Sequence, residues 1–296
     1  MIRKVRKKRK KRKKRKRMIK IDKSYLHSLT SSIHVESIVG SWVERIDDIR
    51  ENFQKAKPFE SVVIDDFLQP EYAHQLSDLF PDNFQDWYRY DNPIEKKYAF
   101  DNIESLSVPL KNYFYFMSSP FMVQLFSNIS GIEDIEYDEY LHGAGLHAHP
   151  RHGRLQIHLD YEKHPHSGKE RRLNVILFLS KDWKEEWNGH NELWNQELSE
   201  CQRKTAVQFN RAILFKTNDI SYHGVPEQIQ CPENVFRKSL AYYYVSPLSS
   251  DTSQKKEKEY RKKATFFQTK TEPYDERLQR LFKIRSERLL IPSDWS

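Results

Sequence analysis

Two cysteines, Cys201 and Cys231, are all the thiol that this 296-residue chain has. That is too few for a secreted disulfide framework or a cysteine-based zinc site. Both therefore read as inert thiols in a reducing, intracellular setting, with the cytoplasm as the default. Glycine is scarce too, with 8 residues, which excludes a Gly-rich repeat or linker protein. No apolar run approaches the ~18 residues needed to span a bilayer; the longest are as short as Val175 to Leu179. The basic start has no apolar stretch after it, so it does not read as a secretory signal.

An evenly basic surface is missing as well, despite a net charge of +8. Between Arg3 and Arg17, fourteen of fifteen residues are Lys or Arg, with Val5 the one interruption. Taking those fourteen from the 50 basic residues leaves 36 against 42 acidic ones, so the body is mildly acidic. Residues 1–20 read as a disordered basic arm: like charges repel and nothing apolar can be buried. Nucleic acid would be held through this arm alone, and nuclear localisation would follow if the arm is an address. No aromatic side chain interleaves its charges to stack bases.

What the chain does have is aromatic bulk, 13% of all residues, together with ample length for one hydrophobic core. Val35, Ile38, Val39, Trp42, Ile46, Ile49 and Phe53 recur at three and four residues, which predicts an amphipathic helix from His34 to Lys57. A strand follows over Phe59 to Phe67. Gln69-Pro70 opens a helix, proline being well placed at a helix start, and two more helices follow at Leu110 to Met117 and Phe121 to Ile129. From Ile132 the pattern changes to short strands: Ile135 to Leu141, Arg154 to Asp160, Leu173 to Leu179, Glu192 to Trp194, Thr205 to Phe209, Ala212 to Lys216 and Ser239 to Val245. Many short strands with few helices between them point to an antiparallel sandwich or barrel. A charged tail ends in a helix from Tyr274 to Leu290.

The chemistry-bearing segment is Gln156-Ile157-His158-Leu159-Asp160-Tyr161. On a strand, residues i and i+2 share a face, so His158 and Asp160 point to one side together. A third metal ligand must come from another strand, and His223, in a polar turn after the strand ending at Lys216, is the candidate. Two imidazoles and one carboxylate leave positions open around an octahedral ion, which suits non-haem iron(II). His147, His149 and His152 are rival ligands, but they sit in a turn-rich stretch without a matching carboxylate and read as solvated or mouth-lining. His164, His166 and His190 read as surface loops, and the tryptophans as packing residues.

The segments GLHAHPRHGRLQIHLDY, RRLNVILFLSKDWKEEWNGHNELW, FKTNDISYHGVPE and FRKSLAYYYVS carry a resemblance to the 2-oxoglutarate/Fe(II)-dependent dioxygenases, in particular the prolyl-hydroxylase-like branch. It spans roughly Phe67 to Pro247. It implies a mainly β fold, a double-stranded β-helix (jelly-roll, cupin-like) with helices packed on one face. The expected organisation is an arm over 1–20, an oxygenase domain over 21–250 with its core at about 132–247, and a charged C-terminal appendage over 251–296. The family pattern of H-x-D, a distal His and a following basic residue falls on His158, Asp160, His223 and Arg237. Arg237 would fork onto the distal carboxylate of 2-oxoglutarate, with Ser239 on the same strand face and Lys238 turned away. Asn174, polar in an apolar run, and Tyr140 are further candidates for the co-substrate. Asn188-Gly189-His190-Asn191-Glu192 departs from the family's usual Gly-Gly-Glu.

The resemblance implies hydroxylation of a C–H bond coupled to decarboxylation of 2-oxoglutarate, with Fe(II) and O2 required and ascorbate supportive. A prolyl residue of a protein, or a free amino acid or other small molecule, is the expected substrate. The alternatives are a nucleic-acid demethylase of the same chemistry, a non-catalytic jelly-roll binding protein, and a cupin-type enzyme that uses another metal.

Overall fold

The computed structural model describes residues 20–32, 34–248, 261 and 263–295. All of the predicted basic arm except Lys20 lies outside them.

Helix α1 (Lys23–Ser32) comes first, then single helical turns at Val35–Ser37 and Ser41–Arg45, then α2 (Ile46–Lys55). The long helix predicted from His34 is thus broken, and Gly40 shows why. Its N–H donates to the Phe67 carbonyl at 3.1 Å, and a Cβ added there would meet the Asp66 carbonyl oxygen at 1.7 Å. The chain is drawn into extended contact at this point, and Val39 bridges to Leu68. The apolar periodicity still does its work, because Ile38, Val39, Trp42, Ile49 and Phe53 are all buried.

Strand β1 (Ser61–Ile64) leads to α3 (Pro70–Asp78), which opens on its proline as expected. A hairpin the sequence did not announce, β2 (Tyr88–Asn92) and β3 (Glu95–Phe100), precedes α4 (Val108–Met117) and α5 (Pro120–Ser130). Helix α4 buries Leu110 and every residue from Tyr113 to Met117. Its C-terminal carbonyls would be orphans in that core. The last long strand supplies a partner, since the Tyr244 hydroxyl donates to the Met117 carbonyl at 2.6 Å.

The remaining elements are β4 (Glu136–Tyr137), β5 (Gly145–His149), β6 (Arg154–Leu159), β7 (Glu170–Phe178), β8 (Asn191–Trp194), β9 (Cys201–Thr205), β10 (Ala212–Lys216), β11 (His223–Val225), β12 (Arg237–Ser246), β13 (Thr265–Phe266) and α6 (Glu276–Glu287). The strands join one antiparallel sheet in the order β1-β10-β7-β12-β5-β3-β6-β11-β8-β9, with β2 on β3, β4 on β12 and β13 on β6. The sheet curls into a jelly-roll barrel with the helices packed against it, the architecture the resemblance implied. Strand β2 takes one edge of β3; on the other edge Tyr98 pairs with Ala148 of β5 and Glu95 with Leu155 of β6.

Three expectations need correction. Strand β9 lies at Cys201–Thr205, not Thr205 to Phe209: it is an edge strand whose alternate residues Gln202 and Lys204 face solvent, so an apolar pattern does not mark it. The stretch Ile135 to Leu141 keeps only two strand residues. The described part of the C-terminal segment is built into the barrel, for β13 pairs with β6 and sets Phe266 opposite His158. Phe266, Leu281, Phe282 and Ile94 then form a small apolar cluster that fastens α6 to the barrel.

Candidate functional site

Strands β6 and β11 run antiparallel with His223 paired to His158. Gly224 permits this approach, since a Cβ there would lie 2.7 Å from the Leu155 carbonyl oxygen. His158 Nε2 is 3.7 Å from Asp160 Oδ1, and His223 Nε2 is 3.6 Å from Asp160 Oδ2. The imidazole centroids are 4.3 Å apart. The three side chains are the one group of His, Cys, Asp or Glu among the described residues whose ligating atoms, one from each, all lie within 4.8 Å of one another.

The imidazoles are held in one tautomer. His158 Nδ1 lies 3.0 Å from the Gln156 carbonyl and His223 Nδ1 lies 2.8 Å from the Ser221 carbonyl. A carbonyl only accepts, so each Nδ1 carries the proton and each Nε2 keeps its lone pair for the space beside Asp160. Burial, then the neighbouring His223, pushes His158 down to about 3; burial also lowers His223. Both rings are therefore neutral at pH 7, and their contacts with Asp160 are not ion pairs.

Asp160 is held as a carboxylate by a residue the sequence reading did not single out. Burial would raise its pKa, but Arg171, His223 and His158 together outweigh burial and hold it well below the usual range. Arg171 Nη1 lies 2.9 Å from Asp160 Oδ2. The guanidinium is sandwiched between the rings of Tyr161 and Tyr243, at 3.9 and 3.4 Å from their centroids, and Nη2 donates to the Tyr161 hydroxyl at 2.9 Å. Asn174 also serves Asp160, its Nδ2 donating to Oδ2 at 3.4 Å. Strict alternation would put Arg171 and Asn174 on opposite faces. A bulge in the β7–β12 ladder, where Tyr244 pairs with Leu173 but Val245 with Arg171, brings both to the cavity side.

The three candidate ligands open onto a cavity of about 230 Å³ that also receives Arg237, Ser239 and Asn174. Arg237 is buried at 2% exposure. Its Nε donates to the Gly189 carbonyl at 2.6 Å, and its guanidinium lies 4.8 Å from the Phe178 ring centroid. Burial pushes this guanidinium down to about 9, so it stays charged at neutral pH. Among the described residues no carboxylate pairs with it. Lys238 turns the other way, over the Phe80 ring at 5.3 Å. The departing turn at 188–192 therefore has a local task, lending its Gly189 carbonyl to Arg237.

His147 and His149 belong to β5, not to a turn, and face the cavity opposite Ser239 and Arg237 in register. Pro150 and Gly153 at the end of the strand disguised its alternation. Both ring nitrogens of His149 lack a partner, as do Asn174 Oδ1 and Asn191 Oδ1, all in side chains that line the cavity. His164 is another correction: it is buried at 1% exposure beside Asp138 rather than exposed in a loop. Tyr140 packs on His164 and His166 and is not part of the cavity wall. Two neutral imidazole nitrogens and a carboxylate fit a divalent transition metal such as iron(II). An unpaired buried cation with unpartnered polar atoms around it fits a small dicarboxylate.

Residues 144–245 match the family model described as the 2OG-Fe(II) oxygenase superfamily. No curated protein sequence matches the chain. Among solved structures, a prolyl hydroxylase from Trichoplax adhaerens, in complex with a hypoxia inducible factor oxygen degradation domain peptide fragment, is similar with a TM-score of 0.51. That pair shares 13% identity and covers 76% of this chain and 94% of the other, a likeness of fold. A prolyl 4-hydroxylase from Phytophthora capsici is similar at TM-score 0.49 and 18% identity, over 69% of this chain and 65% of that one. A Pseudomonas putida prolyl-4-hydroxylase follows at TM-score 0.46 and 13% identity, over 68% and 98%.

Proposed function

We propose that the chain, whose residues 144–245 match the family model described as the 2OG-Fe(II) oxygenase superfamily, is a 2-oxoglutarate- and Fe(II)-dependent hydroxylase acting on a prolyl substrate. One observation carries the reading: a His-Asp-His group and an unpaired buried arginine share a single cavity. His158, Asp160 and His223 would hold the metal and Arg237 the distal carboxylate of 2-oxoglutarate. When bound, iron(II), 2-oxoglutarate and dioxygen supply the oxidising power for C–H hydroxylation, with succinate and CO2 as the other products.

The chain's own residues set the conditions. The Gln156 and Ser221 carbonyls fix the imidazole tautomers, so no proton has to leave before a metal is bound. Arg171 keeps Asp160 ionised and aimed, and the Tyr161 and Tyr243 rings keep Arg171 from moving. Arg237 offers a fork that cannot lose its charge at working pH. The prolyl part of the proposal draws on the Trichoplax protein, whose fold this chain shares and which is bound to a peptide.

The test is succinate release from 2-oxoglutarate with iron(II) and ascorbate, offering prolyl peptides and free proline. Wild-type protein should release succinate in step with hydroxylated product. His158→Ala should abolish it, a loss of at least about a hundredfold, since a ligand of the reacting metal is gone. Succinate formation that persists at the wild-type rate in His158→Ala would refute the assignment.

A further inference from the structure

The cavity wall holds more positive charge than a metal and a dicarboxylate account for. Lys97, Arg171, Arg237, Lys263 and Arg285 line it against two carboxylates, Glu95 and Asp160. A divalent cation and a doubly charged co-substrate cancel one another, so a surplus of three positive charges remains. Arg171 and Arg237 are accounted for above. The rest comes from β3 and the C-terminal segment, outside the region that matches the oxygenase family.

There Lys97 and Arg285 share one acid. Lys97 Nζ lies 3.3 Å from Glu95 Oε1, and Arg285 Nη2 lies 3.4 Å from Glu95 Oε2. Both contacts are longer than the 2.7–2.9 Å of a good charge-assisted hydrogen bond. The side chains are only 12% exposed for each cation and 4% for Glu95, so water does little to relieve the imbalance. Among the described residues Glu95 is the one acid within ion-pair distance of either cation. Apolar surfaces hold the two in place: Lys97 Nζ stands 5.3 Å from the Tyr90 ring centroid, and the Arg285 guanidinium stands 5.4 Å from that of Phe266. Phe266 in turn stacks on His158, with centroids 5.3 Å apart and planes at 27°. An anion received by this pair would sit one aromatic ring away from a metal ligand.

We propose that Lys97 and Arg285 form a carboxylate-binding subsite for the substrate, so that the enzyme takes a prolyl compound bearing a free carboxylate close to the ring rather than a neutral interior prolyl residue. This rests on the hydroxylase reading above and narrows its substrate class. Tyr90 and Phe266 would flank the ring, and the two cations would fix which end of the substrate enters first.

The test uses the full chain loaded with Mn(II) and N-oxalylglycine, a non-reacting stand-in for 2-oxoglutarate. Failure of N-oxalylglycine to bind with Mn(II) would overturn the parent reading and is measured first, by calorimetry. Paramagnetic relaxation of the acetyl protons then reports binding of N-acetyl-L-proline and of N-acetyl-L-prolinamide near the metal. The acid should bind at least about tenfold more tightly than the amide, the scale of one charged hydrogen bond. Lys97→Met and Arg285→Met, tested separately and each checked for an unchanged unfolding transition, should bring that ratio close to one. Equal relaxation of acid and amide by the wild type, relaxation of neither, or a preference that survives in both variants would overturn the subsite.

Discussion

Arg171 and Arg237 both project into the cavity, and both are almost sealed from solvent, at 3% and 2% exposure. Their surroundings differ in kind. Arg171 has a carboxylate at 2.9 Å and two tyrosine faces around it, and these raise its pKa in spite of burial. Arg237 has a backbone carbonyl and a phenylalanine ring, and burial, uncompensated, lowers its pKa to about 9. A buried charge whose partner is within the protein serves the architecture; a buried charge without one is a demand for a ligand. The His-Asp-His end of the cavity is thus balanced in charge, Arg171 against Asp160, whereas the Arg237 end is left open.

The comparison can be broken by removing each charge in turn. Arg171→Met strands Asp160 in the interior and should cost about 3–5 kcal/mol of unfolding free energy, read from urea denaturation of the metal-free protein. A loss under about 1 kcal/mol would show that the pair is dispensable. Arg237→Met should behave oppositely: without ligand, stability should hold or rise by about 1–2 kcal/mol, because an unpaired buried charge has gone. The KM for 2-oxoglutarate should meanwhile climb at least about tenfold, with kcat much less affected. A destabilisation as large as that of Arg171→Met would erase the distinction between the two sites.

A smaller effect sharpens the picture at the open end. His149, opposite Arg237, is held neutral well below its ordinary value, first by burial and then by the charges of Arg237 and Lys97. A free histidine titrates near 6.5. Above that pH both folded and unfolded chains carry the neutral ring and stability is full. Below it the unfolded chain takes a proton that the folded one refuses, and stability falls by about 1.4 kcal/mol per pH unit for each such ring. His149→Leu should make the fall in urea-derived stability between pH 7 and pH 5.5 shallower by about 1 kcal/mol. An unchanged slope would mean that this imidazole is protonated in the native protein.

The sequence made the two ends unequally legible. His158 and Asp160 could be placed on one strand face because period-2 alternation survives intact from Gln156 to Asp160. His223 was reachable because its turn follows an unmistakable strand. Arg237 and Ser239 followed from the resemblance and from the alternation of β12. Arg171 was not legible, since the bulge at Arg172 reverses the face that parity assigns to it. His149 was hidden by the turn chemistry that begins one residue later. Phe266, Lys97 and Arg285 were out of reach for another reason: sites assembled from β3, β13 and α6 depend on pairings between positions separated by up to 190 residues, and no local pattern encodes those. The helix broken at Gly40 shows the same limit, since the deciding contact is with Asp66 and Phe67.

The place of β3 has a consequence for anyone who would cut this protein down. Strands β5 and β6 both fall inside 144–245, and they lie end to end along one edge of β3, a strand from earlier in the chain whose other edge is taken by β2. A fragment trimmed to that stretch would keep His158 and His223 and lose the strand that covers this edge. It would bare the backbone amides and carbonyls of Leu146 to Ala148 and of Arg154 and Leu155 along one edge, the kind of edge that recruits a second chain. Such a fragment should polymerise rather than fold, because the boundary of sequence kinship here is not the boundary of a folding unit.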